Sequence, residues 1–136
     1  DEQGDTGSTG GLSEAGKKVF NDVAMPYFFK ESTTAAFDRI AEKNKLPVGA
    51  TAHFRIVAER KVQTPINGPE EVTFRVEYVG GDGGMTKAAA DEMMEKVPRS
   101  FKKTLNKQQL EDMFVDFFWN EKNDFFVNFF ITRTWR

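Results

Sequence analysis

No cysteine occurs in the 136-residue sequence, and histidine occurs once, at His53. The first absence excludes disulfides and thiolate chemistry, but a chain of this length can bury a sufficient core without bridges, so it leaves the compartment open. A lone histidine without cysteine cannot supply a structural zinc site, and no H-E-x-x-H or paired-histidine spacing exists. No apolar run reaches 18 residues, so the sequence holds no membrane span. An excess of one charge is also lacking. Nineteen Lys and Arg against 21 Asp and Glu leave a formal net charge of −2, with no global attraction to nucleic acid or to an acidic membrane. Tyrosine is scarce, at 2, whereas phenylalanine reaches 14. Much of the apolar volume is therefore ring, concentrated near the C-terminus.

Residues 1–11, DEQGDTGSTGG, are Gly, Ser, Thr and acid with almost nothing to bury, and are expected to form a disordered tail. A start on Asp1 rather than Met suggests a trimmed precursor, for which secretion into an extracellular space or a secretory organelle is one explanation. Residues 12–136 are expected to form one α+β domain.

Within it, Ser13 can cap a helix carrying Ala15, Val19, Phe20 and Val23 at helical spacing, and Pro26 is expected to break or kink that pattern. Whether residues 13–29 are all helix, or hold a strand over 18–29, stays open. A second helix is predicted from Ser32 or Thr33 to Asn44 or Lys45, with Phe37, Ile40 and Ala41 on one face. The run 51–62 then alternates with period two: Ala52, Phe54, Ile56, Ala58 and Val62 on one side, and His53, Arg55, Glu59 and Lys61 on the other. So does 71–79, with Val72, Phe74, Val76 and Tyr78 inward and Thr73, Arg75 and Glu77 outward. This predicts an antiparallel pair with one wet face. Thr86 should cap a helix bearing Ala90, Met93, Met94 and Val97, ended by Pro98. Asn106 and Gln109 form a capping box ahead of Leu110, Met113, Phe114, Phe117 and Phe118. Residues 120–124 suit a turn and 125–135 a last strand, with Phe125, Val127, Phe129 and Ile131 inward.

Catalytic patterns are weak. The loop VGGDGGMTK has neither G-x-G-x-x-G nor a Walker pattern and suits a flexible connector. Acidic pairs such as Glu70-Glu71 and Asp91-Glu92 fall where solvated faces are expected, and no nucleophile elbow accompanies His53. No catalytic residue, cofactor or metal is assigned, and the expectation is a non-enzymatic protein. Arg99, Lys102, Lys103 and Lys107 form a local basic cluster, read as a solvated connection. An RNA-recognition sheet would display aromatics on the strand that here carries Thr73, Arg75 and Glu77, so nucleic acid is not an expected partner. The last strand instead raises a different possibility. Its outward set, Phe126, Asn128, Phe130, Thr132 and Thr134, places Phe126 and Phe130 on an otherwise polar sheet face. Either the N-terminal helix covers them or they mark a partner site.

With 18–29 as a first strand the order is the split βαββαβ, ferredoxin-like arrangement, an antiparallel sheet with helices on one face. In order and size, the strands 51–62 and 71–79, helices 33–45 and 86–118 and closing strand 125–135 resemble the prodomains of subtilisin-type serine proteases, among them the prodomain mimics of apicomplexan micronemes. The resemblance implies inhibition of a subtilisin-like serine protease, with the sheet packed on the enzyme and an extended segment in its cleft. By position, that segment is Thr132, Arg133, Thr134, Trp135 and Arg136; the loops 63–69 and 80–84 are the alternative inserts. The competing expectation is an adaptor that docks a partner protein through a sheet edge or the aromatic face.

Overall fold

In a computed structural model, the structure describes residues 2–3, 13–61, 65–114 and 126–136. In chain order the elements are β1 (Glu2–Gln3), α1 (Glu14–Val19), a π-helical turn (Phe20–Ala24), α2 (Met25–Phe28), α3 (Glu31–Lys43), β2 (Thr51–Glu59), β3 (Glu70–Asp82), α4 (Lys87–Lys96), β4 (Ser100–Leu105), α5 (Lys107–Met113) and β5 (Phe126–Thr134). The fold is α+β: an antiparallel sheet in the order β1-β5-β2-β3-β4, with its helices on one face. The order of helices, hairpin, helix and closing strand is the expected one. Every described strand pairing is antiparallel, and two strands that the sequence did not suggest lie at the edges: β1 beside β5, and β4, in place of a solvated basic connection, beside β3.

Residues 18–29 are helical, not strand. The Ser13 hydroxyl accepts from the Gly16 N–H at 3.0 Å, opening the helix as its sequence signals. Pro26 does not break it. The chain widens into the π-helical turn just upstream, where the Met25 N–H reaches back to the Phe20 carbonyl, and Pro26 then sits in the first turn of α2, where no N–H is needed. The buried face is Gly16, Val19, Phe20, Ala24 and Phe28; Ala15, expected on that face, is exposed. Nor does this helical stretch sit apart. Phe20 is fully buried, stacked on Phe129 at 5.0 Å and edge-on to Phe74 at 6.0 Å, so it joins β3 and β5 from the helix side.

The hairpin has the expected faces. Phe54, Ile56, Phe74 and Val76 are buried, with Phe37 stacked on Phe54 at 5.7 Å. In β5, Phe129 pairs with Ile56 and Ile131 with Phe54, which fixes Val127, Phe129 and Ile131 as the inward set. Thr86 caps α4 and Asn106 with Gln109 forms the capping box of α5. Phe114 ends α5 and is buried, whereas Phe117, Phe118, the 120–124 turn, Phe125 and Val62 lie outside the described residues. So do residues 4–12 of the expected tail; Glu2–Gln3, also in that tail, pair with Thr134 and Arg133 of β5. Among the described residues no helix is long and apolar enough to cross a membrane.

The glycine loop is shaped rather than slack. β3 runs on through Asp82, and the chain turns at Gly83 (φ +65°) and Gly84 (φ +100°). A Cβ on Gly83 would lie 2.2 Å from the Gly49 carbonyl oxygen, so glycine is required for both backbone and space.

Candidate functional site

The core takes every second residue of β2, β3 and β5, and the alternate residues build the opposite face. Across it, Phe130 lies beside Arg55 and Arg55 beside Glu77; Asn128 lies beside Val57 and Val57 beside Arg75; Phe126 lies beside Glu59 and Glu59 beside Thr73. The helices deliver their buried residues to the single core cluster on the other side. The N-terminal helix therefore does not cover Phe126 and Phe130. Phe126 is 45% exposed and Phe130 is half-buried.

Next to these rings runs a ladder of charges. Arg55 donates to Glu77 through Nε at 3.0 Å and also through Nη2; Arg75 reaches Glu77 at 3.3 Å and Glu59 at 4.0 Å. The hydrogen bonds from Arg55 hold the Glu77 carboxyl below the ordinary glutamate range against a partial desolvation penalty, with the charges of Arg55 and Arg75 adding to the effect. Val57, flanked by Asn128 and Arg75, is only 4% exposed although it lies on this face. The face is thus ordered: two rings, a screened apolar centre and a fixed row of alternating charge.

His53 lies at one end of the same face. One ring nitrogen, Nε2, is 2.8 Å from the Asp82 carboxylate and the other, Nδ1, is 3.0 Å from the Thr132 hydroxyl. The neutral tautomer with the proton on Nε2 satisfies both: it donates to Asp82 and accepts from Thr132. Carboxylate, imidazole and hydroxyl stand in line and tie the ends of β2, β3 and β5 together, with the Asp82 side chain largely exposed. Beside it, the Thr51 and Thr134 hydroxyls are 3.1 Å apart. Among the described residues no group of three His, Cys, Asp or Glu side chains could hold a metal ion.

The C-terminal segment is built into the domain. Thr132, Arg133 and Thr134 belong to β5; Trp135 is 7% exposed and donates from Nε1 to Asp38 of α3 at 2.9 Å. The Arg133 guanidinium reaches the same carboxylate at 3.2 Å and lies 5.6 Å from the centre of the indole. The Trp135 backbone accepts from the Gly49 N–H at 2.7 Å and donates to the Ala50 carbonyl at 2.9 Å. Only Arg136 at the end of this segment is exposed. Of the residues expected to meet a partner, Phe126, Phe130, Thr132 and Thr134 share the face opposite the core, whereas Arg133 and Trp135 turn to the helix side.

The loop between β2 and β3, residues 60–69, is gripped at its base. Arg60 is fully buried and binds Glu70 through Nε at 2.8 Å and Nη2 at 3.0 Å, with its guanidinium 5.7 Å from the centre of the Phe114 ring. Arg60 falls at an inward period-two position between Ala58 and Val62, but its charge argued against burial, and the one further signal was the cation and acid flanking a Pro- and Gly-bearing loop.

No protein-family model, curated protein or solved structure matches this chain.

Proposed function

We propose that the protein is a non-catalytic binding module that docks a partner protein on the open face of its sheet. The observation that carries this reading is the pair Phe126 and Phe130, held on the face opposite the core beside the Arg55–Glu77–Arg75–Glu59 ladder. Aromatic rings next to arginine are the composition of protein-binding hot spots. The size suffices: four strands about 4.8 Å apart, with residues rising about 3.3 Å each, give a face on the order of 600 Å², near the ~800 Å² per partner of a standard interface.

In its most specific form the partner is a subtilisin-like serine protease, bound as prodomains bind theirs. The segment offered to the cleft is then one of the loops 63–69 and 80–84, because inserting the C-terminal segment would require Trp135 to leave the core and Asp38. The test is residual activity of a panel of serine proteases, subtilisin included, incubated with the protein. Inhibition that Phe130→Ser weakens, with the fold intact by circular dichroism, supports the reading. Full protease activity at high micromolar protein overturns the protease form of it. Partner capture by crosslinking that survives the Phe126→Ser, Phe130→Ser double variant overturns the docking face itself.

A further inference from the structure

We propose that the outer edge of β4 takes up an acidic, extended peptide segment as an added strand; this rests on the reading of the protein as a binding module and gives the chemistry of a segment that such a partner would present. β4 pairs with β3 on one side, and among the described residues no strand pairs with the other. The register from Arg75–Ser100 to Glu70–Leu105 runs without a bulge, so the edge is a straight template of six residues, about 20 Å long.

Its charge selects the partner. Arg99, Lys102, Lys103 and Lys107 are all exposed, and among the described residues only Lys107 has a carboxylate near it, Glu111 at 4.0 Å. Such lysines keep two copies of one edge apart: pairing β4 with itself antiparallel would set these cations against one another. A strand carrying carboxylates meets attraction where a second copy meets repulsion.

The two faces of the edge also differ. On the helix side it is bordered by Tyr27 and Phe101, whose rings are 4.0 Å apart, with Tyr27 39% exposed. On the open side it presents Lys102, paired in register with Thr73. Successive residues of an added strand point to opposite faces. The edge therefore fits a segment that sets an apolar residue against the Tyr27–Phe101 shelf and carboxylates against Lys102 on the open side and Lys103 beyond Phe101 on the helix side. Main-chain hydrogen bonds supply affinity and the lysines supply the charge preference.

The experiment titrates the isotope-labelled full chain with a capped six-residue peptide alternating glutamate and valine, following amide shifts by NMR. Three controls run beside it: the lysine–valine counterpart, the glutamate–valine peptide N-methylated at alternate backbone positions, and a single-stranded oligonucleotide. Shifts are expected along Ser100–Leu105 and at Tyr27, with binding at least 10-fold weaker for the lysine and N-methylated peptides. K102E/K103E is expected to reverse the charge preference while leaving the fold unaffected. Shifts that fall on β5 or nowhere up to millimolar peptide overturn the proposal, as does equal affinity for the N-methylated peptide or tighter binding of the oligonucleotide. Phe130→Ser tests the open face separately, so one surface can fail while the other stands.

Discussion

Trp135→Ala removes the side chain that joins the C-terminal segment to α3. The indole is 7% exposed and lies in the main core cluster. A buried tryptophan removes on the order of 200 Å² from water, which at about 25 cal/mol per Å² amounts to roughly 5 kcal/mol. Alanine keeps one methyl and the site collapses in part, so the expected loss is about 3–5 kcal/mol. That is a large fraction of the ~5–15 kcal/mol of a typical domain. Trp135→Phe keeps a ring and removes the Nε1–Asp38 bond, whose acceptor is half-exposed, so it should cost much less, about 1 kcal/mol for the bond itself. Both variants are measured by urea denaturation followed by circular dichroism, with the denaturant slope held as a check on the unfolded state. A loss below about 1 kcal/mol for Trp135→Ala would refute the reasoning. The indole would then not be packed in solution, and the C-terminal segment would return as the candidate insert of a protease inhibitor.

Phe114→Ala should cost about 3–5 kcal/mol in the same assay, since the ring is buried in the core and stands beside the Arg60 guanidinium. Gly83→Ala should cost about 2–3 kcal/mol, from a left-handed backbone and the close approach of the Gly49 carbonyl, and a smaller loss would show that the turn relaxes. Glu70→Gln should cost about 1–3 kcal/mol by replacing the charged acceptor of the Arg60 guanidinium with a neutral amide, measured in the same assay. Glu77 has a lowered folded pKa, so its contribution is fully present above the unfolded value and is lost as pH falls through the folded one. Glu77→Gln should therefore flatten the acid limb of the stability profile below about pH 5, while leaving the slope above about pH 6 unchanged.

Local signals placed most elements. The Ser13, Thr86 and Asn106 caps lie where short-range hydrogen bonding puts them, because a cap needs only the next three residues. The faces of β2 and β3 follow from strict alternation, and β5 inherits its face by register. β4 was missed, because its basic run reads as a solvated connection. Phe101 and Leu105 alternate correctly, but Lys103 occupies the inward position between them, tolerated because an edge lets its amine reach water. The run 18–29 was ambiguous because Pro26 looks like a breaker until the π-helical turn ahead of it is seen.

The sequence by itself determined the class of the fold, the inward residues of the three long strands and the presence of aromatics at Phe126 and Phe130 on the outward set. Only the tertiary structure decided which side the N-terminal helix covers, that Trp135 and Arg133 converge on Asp38 from 97 and 95 residues away, and that Arg60 and Glu70 close the β2–β3 loop. Period and capping are written within a few neighbouring residues, whereas a helix's choice of sheet face and a pairing across the chain depend on which distant surfaces bury together.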